Sequence, residues 1–90
     1  MKSYLIGYEL NTSGENCSDL IAAIEKLTDT HRRCLHSTWI IKLDGDVADI
    51  RDALTPHMHA SDQLLVVELS GQGAWKGFNG ECSDWLIDNF

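Results

Sequence analysis

A single proline, Pro56, interrupts the 90 residues, and no apolar run approaches the ~20 residues that a membrane-spanning helix requires. Positive charge is scarce: seven Lys and Arg stand against fourteen Asp and Glu, for a formal charge of -7. The seven (Lys2, Lys26, Arg32, Arg33, Lys42, Arg51 and Lys76) are scattered, and only Arg32 and Arg33 are adjacent. Releasing counterions from a duplex needs clustered cations, so extended DNA binding is disfavoured. A small local site for RNA or a nucleotide survives that argument. The three cysteines show no CxxC spacing, which indicates neither a disulfide framework nor a zinc knuckle. Cys17, Cys34 and Cys82 are therefore expected to be buried or half-buried free thiols. The glycines of "GQGAWKG" fail the GxGxxG pattern because Lys76 holds the sixth position, and they lack the Gly-Lys-Ser/Thr ending of a phosphate-binding loop. The opening "MKSYLIGYEL" is too short and too alternating for a signal peptide, so the cytoplasm is the expected compartment.

What is present has the composition of an ordinary globular chain, 43% hydrophobic and 23% charged. The length suits one domain, with residues 1–70 as its core and 71–90 as a Gly-rich connection and aromatic tail. From Ser3 to Leu10 the even positions are Tyr4, Ile6, Tyr8 and Leu10, the period of a strand with one buried face. Asn16 and Asp19 have the spacing of a capping box, and Leu20, Ile21, Ile24 and Leu27 follow on one helical face. "HRRCLHSTWIIKL" reads as two short strands with a turn or bulge near His36-Ser37, Trp39, Ile41 and Leu43 sharing a face. "DGD" at 44–46 is a turn ending in a helix cap. The second helix turns Val47, Ile50, Ala53 and Leu54 inward and Asp49 and Asp52 outward, and Pro56 lies near its end. Gln63 to Leu69 is the last strand, and a short helix is expected from Ser83.

The order strand, helix, strand, strand, helix, strand matches an α+β, ferredoxin-like βαββαβ sandwich with both helices on one face of a four-stranded antiparallel sheet. Leu5, Ile40, Leu64 and Val66 are assigned to the opposite face. So many aliphatics on one uncovered face call for a cover. A two-fold homodimer joining sheet to sheet supplies one, and a C-terminal tail carrying Trp75, Phe78, Trp85 and Phe90 supplies another. Both are expected, with the tail partly reaching the other subunit.

"YLIGYEL", "RCLHSTWIIK" and "DQLLVVEL" resemble the small CRISPR-associated protein two family, whose first strand ends in "YD". The whole chain, including "AWKGFN" and "DWLIDNF", is similar to short bacterial and phage proteins labelled SinR-like. Nothing in it resembles a helix-turn-helix repressor. The resemblance implies a ferredoxin-like homodimer in which the acidic residue ending strand 1 lies near the two-fold axis and can hold a divalent metal, Mg²⁺ or Mn²⁺. Some relatives are assigned metal-dependent nuclease activity, others are structural parts of an integration complex, and the related virulence-associated protein D toxins are ribonucleases. The positions carried over are Tyr8, Glu9, Arg33, Ser37 and Asp62. Glu9 replaces the expected aspartate, Leu35 sits where the family often has Gln, and the basic surfaces of the integration-complex members are absent.

Glu9 is thus the candidate metal ligand and catalytic carboxylate, with Ser37 and Arg33 as helpers toward phosphate or water. Each has a plainer account. Taking strands 1 and 3 as parallel neighbours puts Lys42 beside Glu9 as a salt-bridge partner, Ser37 can bond its own backbone at a turn, and one of Arg32 and Arg33 can simply be exposed. His57 and His59 read as loop histidines rather than a metal pair. His31 and His36 could exchange protons near neutral pH, but no partner is identifiable for them. Two functions follow: a metal-dependent endoribonuclease acting on RNA, or a non-catalytic acidic dimeric module that binds a protein partner.

Overall fold

The computed structural model describes residues 1–10 and 15–89. Its elements are β1 (Lys2–Glu9), α1 (Glu15–Leu27), β2 (His31–Leu35), β3 (Thr38–Leu43), α2 (Val47–Leu54), a 3₁₀ turn (Thr55–His57), β4 (Gln63–Leu69) and α3 (Gly80–Asn89). The sheet order is β2-β3-β1-β4, antiparallel throughout, which is the ferredoxin-like arrangement with an added C-terminal helix.

One face of the sheet carries the core. Tyr4, Ile6 and Tyr8 of β1 alternate inward and meet Trp39 and Ile41 of β3 in register. Leu20 and Ile24 of α1 and Ile50 and Leu54 of α2 close over them, all nearly or fully buried. The four-residue spacing within each helix puts both side chains of each pair on one stripe, so each helix buries one side and leaves the other in water. The Tyr4 hydroxyl donates to the Gly45 carbonyl, which pins the turn before α2 to the central strand. Asp46 occupies the N-cap of α2 in extended conformation but makes no side-chain cap hydrogen bond. Asn16 lies inside α1 rather than at its cap, and residues 11–14 are outside the described part. Ala53 is exposed, because a helix of eight residues offers the core only the stripe through Ile50 and Leu54.

Pairing geometry corrects two face assignments. Leu64 pairs with Tyr8 and Val66 with Ile6, so both belong to the helix-covered face and pack on the core. Leu65, Val67 and Leu69 take the other face, with Leu5 and Ile40. Strands β1 and β3 are antiparallel, so Lys42 pairs with Ser3 while Glu9 stands opposite Gln63 at the far end of β1. A salt bridge between Glu9 and Lys42 is excluded by the length of the strand. The reason is topological: the β2–β3 hairpin returns β3 against β1, whereas a parallel pair would need a crossover.

The tail covers part of the second face. Gly71, with φ +90, turns the chain out of β4, and Gly77, with φ +83, turns it again before α3. Trp75, Phe78 and Leu86 then line a cleft of about 460 Å³ against Leu5 and Ile40. α3 begins three residues earlier than Ser83 because Asn79 caps it: its Oδ1 accepts from the Cys82 N–H at 2.9 Å. The Trp75 indole N–H donates to Ser83 Oγ at 3.0 Å, tying connection to helix. Phe90 lies outside the described residues.

Two of the cysteines are not free thiols. Cys34 of β2 and Cys82 of α3 form a disulfide across a Cα–Cα distance of 5.9 Å and a sequence separation of 48. A bulge makes the pairing possible. Between Arg32↔Ile40 and Leu35↔Thr38 the edge strand β2 takes one residue more than β3, so Arg33 and Cys34 both stand opposite Trp39. Arg33 lies toward the Trp39 ring and Cys34 is released toward α3.

Candidate functional site

The β1 strand ends where the β2–β3 turn begins. Gly7 pairs with Thr38, and the next residue, Tyr8, donates its N–H to the Ser37 carbonyl at 3.1 Å. Ser37 is thereby seated beside the residue that precedes Glu9. Glu9 is exposed, and its cross-strand neighbour Gln63 opens β4 on the same face. A shallow depression of about 300 Å³ runs along this end, bounded by Gly7, Glu9 and Gln63. Behind them, Asp62 accepts from the His59 N–H at 2.9 Å and donates its own N–H to the His59 carbonyl at 3.1 Å, which closes the turn into β4.

Arg33 comes to the same end by a different route. Its Nε donates to the His36 carbonyl at 2.8 Å, its Nη2 donates to the same oxygen, and its guanidinium lies 6.0 Å from the Trp39 ring centroid. Two of its donors therefore hold the hairpin turn that carries Ser37. Of the three candidates, Glu9 and Ser37 are neighbours at one sheet end, while Arg33 braces the turn from β2.

A second concentration of chemistry lies along β2. His31, Arg32, Arg33 and Trp85 border a groove of about 430 Å³, with Asp29 at its rim. His31 packs edge-on against Trp39 with centroids 5.5 Å apart. Arg32 is half-buried, and its Nε has no hydrogen-bond partner among the described residues. The only adjacent basic pair in the chain thus sits beside an aromatic ring contributed by α3. Sequence reasoning noticed the pair but missed the ring, because nothing in the sequence says that α3 docks on β2.

Among the described residues the ion pairs are Met1 with Asp44, Lys2 with Glu68, and Arg51 with Asp52, all with exposed side chains. Among the described residues no three His, Cys, Asp or Glu side chains group as a metal site, and His57 and His59 lie exposed after α2. The side chains that the register places together on this face at the strand end are the Glu9 carboxylate and the Gln63 amide, both oxygen donors. That set suits Mg²⁺ or Mn²⁺, which are commonly held by one or two carboxylates with water completing the shell.

Among the described residues no helix is long and apolar enough to cross a membrane. No family model matches the chain, and no curated protein matches it.

Proposed function

We propose that the chain acts as a homodimeric endoribonuclease of the kind represented by the CRISPR-associated protein two and virulence-associated protein D families. Glu9 and Ser37 are its reacting groups, and Arg33 is the residue that positions the turn. The observation that carries this reading is the Tyr8 N–H to Ser37 carbonyl bond at 3.1 Å, which seats Ser37 at the end of the central strand where Glu9 stands exposed. In the dimer, Glu9 of each copy faces the other across the axis. A bound Mg²⁺ or Mn²⁺ supplies charge neutralisation at phosphate and a more acidic water. Glu9 would hold that cation, the Ser37 hydroxyl would orient a phosphate oxygen, and the Arg33–His36 clasp keeps the hairpin from drifting. The β2 groove offers RNA a guanidinium pair and the Trp85 face, the combination that stacks and neutralises single-stranded nucleotides. With a net charge of -7, binding depends on this local patch and not on the overall field.

The test compares wild type with Glu9→Ala and Ser37→Ala on labelled RNA, with and without Mg²⁺ or Mn²⁺. Cation-dependent cleavage that Glu9→Ala abolishes supports the reading. Equal cleavage by wild type and Glu9→Ala, or none by either of these two, removes Glu9 from the chemistry. The dimer has its own check: a monomer at micromolar concentration in size-exclusion chromatography with light scattering overturns the two-copy site.

A second reading has a specific observation behind it. Leu35, Leu65 and Val67 are 54%, 58% and 36% exposed on the sheet face that the tail only partly covers. An apolar strip on an acidic surface suits a dimeric interaction module whose protein partner is basic and apolar, one that itself normally binds nucleic acid. Failure of the cleavage assay with a stable dimer favours it. Both readings place the chain in the cytoplasm, where thiols are kept reduced and a disulfide is ordinarily a transient, responsive bond.

A further inference from the structure

α3 is held to the rest of the chain by very little. It has ten residues, fewer than the ~12–15 at which an isolated helix becomes even marginally stable in water. Only Cys82 and Leu86 are buried along it, and Ile87 is 68% exposed. One of its two buried side chains is thus the disulfide itself. The Trp75–Ser83 bond does not anchor α3 to the sheet, because Trp75 belongs to the connection that leads into α3. The remaining noncovalent hold is the apolar cleft in which Trp75, Phe78 and Leu86 meet Leu5 and Ile40, together with Trp85 beside Arg32 and Arg33 of β2.

The two sulfurs differ in their surroundings. Cys34 is half-buried and borders the cleft of about 460 Å³, so an incoming thiol has a path to it. Cys82 is only 9% exposed and sits in the first turn of α3, directly after the Asn79 cap. Attack therefore falls on the accessible Cys34 sulfur, and the enclosed Cys82 sulfur is the one that leaves.

We propose that Cys34–Cys82 is a thiol-exchange site for a dithiol reductant, and that its reduction detaches α3 and the preceding connection from the sheet, uncovering Leu5, Ile40 and Leu69. A thiolate of the reductant attacks Cys34 Sγ, forming a mixed disulfide there and breaking the Cys34–Cys82 bond, whose electron pair leaves on Cys82 Sγ. The reductant's second thiolate then attacks its own bridged sulfur, releasing Cys34 as thiolate and leaving the reductant as a cyclic disulfide. Two electrons pass to the protein, and the new thiolates take their protons from solvent. Detachment also withdraws Trp85 from the groove beside Arg32 and Arg33. The inference stands apart from the ribonuclease reading, since it concerns the attachment of α3 and holds for a protein without catalytic activity.

The test uses the full chain, with dithiothreitol as the reductant. Alkylation under denaturing conditions should add one group before reduction and three after, because the disulfide occupies two of the three cysteines. Amide exchange in residues 80–89 should then accelerate by about tenfold or more on reduction, while β1 and β3 keep their protection. Tryptophan emission should shift to the red as Trp75 and Trp85 enter water. Cys34→Ser and Cys82→Ser should each reproduce the reduced behaviour without reductant. Three alkylations before reduction, unchanged exchange in 80–89 afterwards, or loss of protection across the whole sheet at once would each overturn the proposal.

Discussion

The two faces of the sheet are covered by different means. On one side two amphipathic helices lie between consecutive strands, and their apolar stripes meet Tyr4, Ile6, Trp39 and Ile41 with almost no residual exposure. On the other side a Gly-rich connection and one short helix reach back from the chain end, fastened by a disulfide and leaving Leu65 and Val67 in water. The first cover is part of the cooperative core, because both helices are flanked by strands of the sheet. The second is appended, and its stability can change without changing the first.

The largest effect that would test this division comes from the core. Ile6→Ala removes a fully buried side chain from the central strand and should destabilise the fold by about 2–5 kcal/mol, read in urea unfolding as one cooperative transition. A second, unshifted transition belonging to the tail would show that the two covers unfold independently even in the oxidised protein.

Cys34→Ser comes next. Opening a loop of this span is expected to cost about 2–4 kcal/mol, measured as a lower thermal midpoint under non-reducing conditions. If the tail is appended, a part of that loss shows as early exchange in 80–89 ahead of the main transition. A midpoint equal to wild type would mean that the apolar cleft alone holds the tail.

The difference between the faces also explains what was legible in the sequence. Alternation in β1, β3 and β4 and the helical stripes at Leu20–Ile24 and Ile50–Leu54 report burial by local periodicity, so the four strands, the first two helices and the ferredoxin-like order could be read directly. Periodicity marks two faces of β4 but not which is covered, and Leu64 and Val66 were assigned outward because only the register to Tyr8 and Ile6 decides it. Glu9 and Ser37 were legible as residues, while their adjacency came from the antiparallel β1–β3 pairing, and that same pairing removes Lys42. The disulfide could not be read, since an odd count of widely spaced cysteines carries no pairing information until a bulge turns Cys34 toward α3.

Asn79→Ala tests the appended cover without touching a contact to the sheet. The side chain accepts from the Cys82 N–H at 2.9 Å, and an N-cap of this kind is worth about 1 kcal/mol. Exchange in 80–89 should accelerate modestly in the oxidised protein and more in the reduced one, where the cap is a larger share of what remains. Equal acceleration in both states would mean that the disulfide contributes nothing to local helix order.

The smallest effect on stability belongs to the uncovered strip, and it is the most informative about function. Leu65 is 58% exposed and Val67 36%, so Leu65→Ser with Val67→Thr should change the unfolding free energy of a monomer by no more than about 0.5 kcal/mol. Within a dimer that joins these faces, the same pair of changes replaces apolar contacts with hydroxyls at the interface. It should therefore raise the dimer dissociation constant by at least about tenfold, the equivalent of ~1.4 kcal/mol. Light scattering over a dilution series reads that shift directly. A dimer that withstands both substitutions while wild-type stability is retained would move the interface off β4. Glu9 lies on the same sheet face as Leu65, opposite Gln63 at one end of β4, so the pairing of two Glu9 carboxylates would then lose its geometric basis.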